Sequence, residues 1–161
     1  MEYYIYIKMP PYLRQWFVHR HGGGEPVSLI RGSIESKLLQ RCTVPCPDGL
    51  PVPRKQEGEI AIKLPYSKSH DPRVYNHINE MGKKAFVKRV KADFDIDVWE
   101  YLHDFGKIGK QQKELIYLFM EQRGILEDGT CWDAIAKIYQ RLRNIYLTKN
   151  RRKVVRHQDE K

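Results

Sequence analysis

The chain of 161 residues has no stretch approaching the roughly 20 consecutive apolar residues that a bilayer-spanning helix needs, so a helical membrane protein is excluded. Its start, Met1-Glu2-Tyr3-Tyr4-Ile5, lacks a basic region and a small-residue cleavage site, and no signal peptide is expected. Cysteine is scarce. Cys42, Cys46 and Cys131 are an odd and sparse set, which excludes a disulfide scaffold and reads as reduced thiols in a cytoplasmic protein. Cys42 and Cys46 with His70 or His77 make half a zinc site, but no second pair of ligands follows, so no metal is assigned. Neither a phosphate-loop nor a dinucleotide fingerprint occurs, and no cofactor is expected. No catalytic group is legible, although Ser-His-Asp and Cys-His sets converge in space rather than in sequence. The reading is therefore non-enzymatic.

What is present is globular in composition: 41% apolar residues, 30% charged residues, ten tyrosines and three tryptophans. Residues 2–8 carry Tyr3, Ile5 and Ile7 on one side with Tyr4 and Tyr6 on the other, the two-sided apolarity of a buried central strand. Pro10-Pro11 stops it. Leu13, Trp16 and Phe17 then recur at helical spacing until Gly22-Gly23-Gly24. Residues 26–30 read as a second short strand, and Ser33 as the N-cap of a helix bearing Ile34, Leu38 and Leu39. Four prolines between Thr43 and Gly58 mark a loop. Residues 59–64 alternate as a half-buried strand should.

From about Arg73 the pattern turns helical. One helix is predicted from near Val74 to Ala92, with Gly82 as an interruption and residues 94–97 as a joint. Asp97 and Glu100 resemble a capping box for a short helix carrying Val98, Tyr101 and Leu102. Helices are expected over Gln111–Arg123, ending at Gly124, and from Thr130 (with Asp133, a second capping box) to about Lys149. The fold class is α+β: a small β/α unit over 1–75 followed by a helical, basic unit over 76–161, sharing one core or having two.

The strongest signal is an imbalance of charge. Net charge is +9, and Lys plus Arg outnumber Asp plus Glu by 11 to 8 over 1–80 but by 18 to 12 over 81–161. Between Lys137 and Arg156 there are eight basic residues and no acid, whereas a solvated helix face mixes its signs. On a helical wheel Ile135, Ile138, Tyr139, Leu142, Ile145 and Tyr146 form one apolar stripe, predicted to bury against Gln111–Arg123. The opposite face gathers Asp133, Lys137, Gln140, Arg141, Asn144 and Thr148. Arg, Gln and Asn make bidentate contacts with purine edges, and Lys and Thr suit phosphates. Arg143, Lys149, Arg151, Arg152, Lys153 and Arg156 extend the charge as a backbone-gripping arm.

Helix Gln111–Arg123, turn Gly124–Thr130 and helix Cys131–Lys149 together resemble a helix-turn-helix. With a small α/β part before it, the layout is similar to small phage and mobile-element transcription regulators of the Mor type, over about a quarter of the chain. The resemblance implies DNA as partner and Lys137, Gln140, Arg141 and Asn144 as groove-facing positions. The turn is longer than the three or four residues usual for the motif, so an αα-hairpin with a basic tail stands as the alternative. The function expected is sequence-preferring binding of double-stranded DNA by a regulator, with a homodimer as an assembly to test.

Three other constellations point elsewhere. Basic residues near a helix end also complement its dipole or dock on an acidic protein partner. Tyr3, Tyr4, Tyr6, Tyr12 and Trp16 would suit single-stranded nucleic acid if they were exposed, though aromatics on strands usually pack. Asp93, Asp95 and Asp97 invite a divalent-metal nuclease reading with Lys107 or His103. An EF-type calcium loop is excluded, because Val98 stands where such a loop requires glycine.

Overall fold

A computed structural model describes the backbone of residues 1–105 and 111–159 and the side chains of residues 1–103 and 111–153. Its elements, in chain order, are β1 (Tyr4–Lys8), α1 (Pro11–Arg20), β2 (Val27–Ser28), α2 (Ile34–Cys42), β3 (Thr43–Val44), β4 (Glu59–Lys63), β5 (His77–Ile78), α3 (Glu80–Phe105), α4 (Gln112–Gln122) and α5 (Gly129–Asp159). This is an α+β layout. Two compact units form, Met1–Phe94 and Asp95–Lys161, so the change to a helical pattern near residue 75 falls inside the first of them.

In the first unit β1, β4 and β2 make one sheet in that order, with β1 antiparallel and β2 parallel to β4; β3 and β5 pair separately. The central strand is therefore β4, and β1, expected to be central, lies at the edge. Ile60, Ala61 and Ile62 are all buried, which a central place demands, while Tyr4 and Tyr6 are only half-buried. Tyrosine joins an apolar ring to a hydroxyl that wants water, so a tyrosine-rich strand sits comfortably at an edge. Ile5, Ile7, Val27, Ile60 and Ile62 share the core face. On the far side of β4, the Ala61 amide donates to the Glu25 carboxylate at 2.9 Å.

Against that core lie Leu13 and Phe17 of α1, Leu39 of α2 and Phe86, Val90 and Phe94 of α3, each almost wholly buried. Phe17 meets Phe86 edge-on at 5.9 Å, and Trp16 meets Phe94 at 5.3 Å. Burying a side chain of this size contributes about 1.5–3 kcal/mol. The Ser33 hydroxyl caps α2 as predicted, accepting from the Ser36 amide at 3.1 Å.

The helix predicted from Val74 instead begins at Glu80, because residues 77–78 pair with β3 and Asn79 supplies the cap, its side-chain oxygen accepting from the Gly82 amide at 2.7 Å. Neither Gly82 nor residues 94–97 interrupt it. Phe86, Val90, Phe94, Val98 and Leu102 recur every fourth residue, all buried, so an unbroken α3 keeps one continuous apolar stripe. Asp97 is consequently mid-helix rather than a cap.

In the second unit Val98 and Leu102 of α3, Leu115, Ile116, Phe119 and Met120 of α4, and Cys131 and Ile135 of α5 are buried. The Arg123 guanidinium grips Asp97 through two bonds of 2.7 and 2.9 Å and lies over the rings of Tyr101 and Phe119. The predicted glycine stop of α4 is present. Gly124 has φ of 65°, and the Ile125 amide reaches back to the Met120 carbonyl at 2.9 Å.

Candidate nucleic-acid interface

The fifth helix starts two residues earlier and runs further than its sequence pattern predicts. Asp128, not Thr130, caps it: its carboxylate accepts from the Cys131 amide at 2.7 Å and its carbonyl from the Trp132 amide at 3.1 Å. From Gly129 to Asp159 the helix has 31 residues, about 46 Å at 1.5 Å per residue, whereas the 11 residues of α4 reach about 16 Å.

That mismatch governs the burial of the apolar stripe. Cys131 and Ile135 are buried, and Ile138, Tyr139 and Leu142 are half-buried. Ile145, Tyr146 and Leu147 are 44%, 41% and 43% exposed, so the stripe is not fully covered along its length as predicted. Past Leu147 it stops. Lys149 and Lys153 take the positions where the apolar face would continue, and residues 148–153 are polar on every side. A helical segment without an apolar face has nothing to pack against, and its stability must come from elsewhere.

Lys137, Arg143, Lys149, Arg151, Arg152 and Lys153 are exposed, and among the described residues none is ion-paired. Arg141 differs. Its guanidinium contacts the Asp95 carboxylate at 2.6 Å, an acid brought from α3 that sequence spacing does not reveal. Gln140 and Asn144 bond to each other at 3.2 Å, and the Thr148 hydroxyl donates to the Asn144 carbonyl at 2.8 Å. Arg156 falls on the helix, with its side chain outside the described residues. Lys137, Gln140, Arg141, Asn144 and Thr148 are all exposed, as the wheel predicts.

Beside this face lies a feature the sequence reading missed. Trp99 stacks on His103 at 4.4 Å, and Tyr146 stands 5.3 Å from Trp99 and 5.0 Å from His103. With Tyr139, Gln112 and Arg143 they line a cavity of about 340 Å³. The signal that would have found it is the spacing of four, Trp99 to His103, one helical turn apart.

The rival constellations dissolve into separate contacts. Each of the three alternating acids serves a different arginine: Asp93 pairs with Arg89 at 2.9 Å, Asp95 with Arg141 and Asp97 with Arg123. Among the described residues no three His, Cys, Asp or Glu side chains are grouped to hold a metal ion, and Lys107 lies outside them. No disulfide joins Cys42, Cys46 or Cys131 among the described residues. Trp16 is buried and Tyr12 packs on Phe94 at 5.1 Å, so two of the five aromatics proposed for single-strand stacking are committed to packing. Among the described residues no helix is long and apolar enough to cross a membrane. No family model, no curated protein and no solved structure matches this chain.

Proposed function

We propose that the protein binds duplex DNA along the exposed length of α5, with the phosphate backbone as the principal contact. The observation that carries this reading is the row of six exposed cations without an ion pair among the described residues: Lys137, Arg143, Lys149, Arg151, Arg152 and Lys153. Four of them lie within five residues, and their mutual repulsion disfavours the helix until a polyanion relieves it. A surface serving solubility alone would mix acids among the bases. The same helix offers Gln140 and Asn144 on its front, side chains suited to adenine edges in a major groove. Regulation of transcription is the use that the helix–turn–helix layout favours.

Arg141 is a conditional contributor, because DNA must compete with Asp95 for its guanidinium. The test compares three variants by fluorescence anisotropy on one labelled duplex. Replacing Lys149, Arg151, Arg152 and Lys153 together by Gln should weaken binding by at least about 100-fold at low salt. Arg141→Ala should cost less than any two of those four, and Asp95→Asn should tighten binding by roughly two- to five-fold by releasing the arginine. Unchanged affinity in the fourfold variant would remove α5 as the interface.

A further inference from the structure

Within the first unit, β1 has a partner on one side only, because the sheet order is β1–β4–β2. The Leu64 amide donates to the Tyr3 carbonyl at 2.9 Å and the Met9 amide to the Gly58 carbonyl at 3.2 Å. In an antiparallel ladder the bonded pairs alternate, so residues 3, 5, 7 and 9 face β4. The amides and carbonyls of Tyr4, Tyr6 and Lys8 therefore point to the open edge, and no hydrogen bond reaches them among the described residues. Open strand edges usually carry a guard, such as a proline, a bulge or a covering segment. β1 has no proline or bulge within its five residues, about 17 Å of strand, and only Lys8 at its end carries charge.

Two cavities border the strand. One cavity of about 640 Å³ borders Ile5 and Tyr6 and has an apolar lining from Pro51, Val52, Pro53 and Ile78. A second, of about 520 Å³, borders Ile7 and Lys8, and the two share Glu59 and Lys83 in their walls. The charge is one-sided. Lys8, Arg54, Lys83, Lys84, Lys88 and Lys91 line the pair of cavities against only Glu59 and Glu80. Glu80 is engaged with Lys83 at 3.4 Å, and Glu59 accepts from the Gln56 amide at 2.8 Å.

We infer that β1 is a docking edge for an extended acidic peptide of a partner protein, which would add a strand beside Tyr4–Lys8. Main-chain bonding to Tyr4, Tyr6 and Lys8 supplies affinity, as in other strand-addition complexes. Alternate side chains of the guest would enter the Pro51–Pro53 cavity or meet the lysines of α3. A nucleic acid would satisfy the lysines but has no repeating amide to pair with the strand edge. The site lies in the first unit and does not depend on what α5 binds.

The probe is a peptide of about ten residues alternating Glu and Val, long enough to span a five-residue strand, added to the full chain. Two-dimensional NMR with hydrogen exchange reads the amides of Tyr4, Tyr6 and Lys8. Binding should slow their exchange by about tenfold or more while leaving Ile5 and Ile7, already bonded to β4, nearly unchanged. The double variant Lys84→Glu/Lys88→Glu, on exposed helix positions, should weaken the peptide by at least about tenfold, and a Lys-Val peptide should not bind. Three results would overturn the proposal. They are no binding at millimolar peptide, binding that leaves those three amides unprotected, and protection that already exists through self-association and vanishes on dilution.

Discussion

Gly82 is the residue whose identity the structure dictates most plainly. A Cβ there would stand 2.9 Å from Ile78 Cγ1 and 3.2 Å from Cys42 Cβ, where β5 turns into α3. Alanine gains up to about 1 kcal/mol of helix propensity over glycine, but displacing packed side chains costs about 1–3 kcal/mol. Crowding wins, and Gly82→Ala should lower the denaturant midpoint, whereas the same change at exposed Gly24 should not. His21 supplies a second expectation. Its ring is half-buried against Phe17 at 4.6 Å, neither ring nitrogen finds a partner among the described residues, and burial pulls its pKa below the ordinary 6.5, with Glu35 opposing. The unfolded chain then takes up the proton more readily than the folded one. Stability from this group is intact above pH 6.5 and declines as pH falls below it. Thermal melts should show that decline in the natural chain and a smaller one in His21→Phe. Arg123, whose salt bridge with Asp97 also holds its own pKa up, is partly exposed, so Arg123→Ala should cost only about 1–2 kcal/mol.

Elements show where a sequence can be read and where it cannot. Local chemistry was legible: the Ser33 cap, the Gly124 stop and the apolar stripe opening α5 each depend on residues within a turn or two. Non-local competition was not. β1 proved an edge strand rather than a central one because alternation reports how apolar each face is, not which strand finds two partners. Asp97 looked like a cap until Arg123, 26 residues away, claimed it. The basic face of α5 was readable as a face, but the loss of Arg141 to Asp95 and the approach of Tyr146 to the Trp99–His103 pair required the fold. The length of α5 carries its own expectation. Beyond Leu147 no apolar residue anchors residues 148–153, so circular dichroism should show helix content rising when duplex DNA is added, and rising less in a chain shortened to end at Thr148.

At the scale of the whole molecule, two surfaces stand out, and they belong to different units. The basic flank of α5 lies in the unit Asp95–Lys161, and the open edge of β1 with its lysine wall lies in Met1–Phe94. A net charge of +9 makes some attraction to any polyanion inevitable, so affinity alone says little about α5. The number of counterions released is more informative, because it counts the cations that meet phosphates. The decisive measurement is therefore the salt dependence of binding to one duplex, made on the intact chain and on a chain ending at Thr148. About six phosphate contacts predict a slope near −5 in log affinity against log salt for the intact chain, falling to about −2 when only Lys137 and Arg143 remain. Equal slopes for the two chains would show that DNA contacts the protein elsewhere and would contradict the assignment to α5.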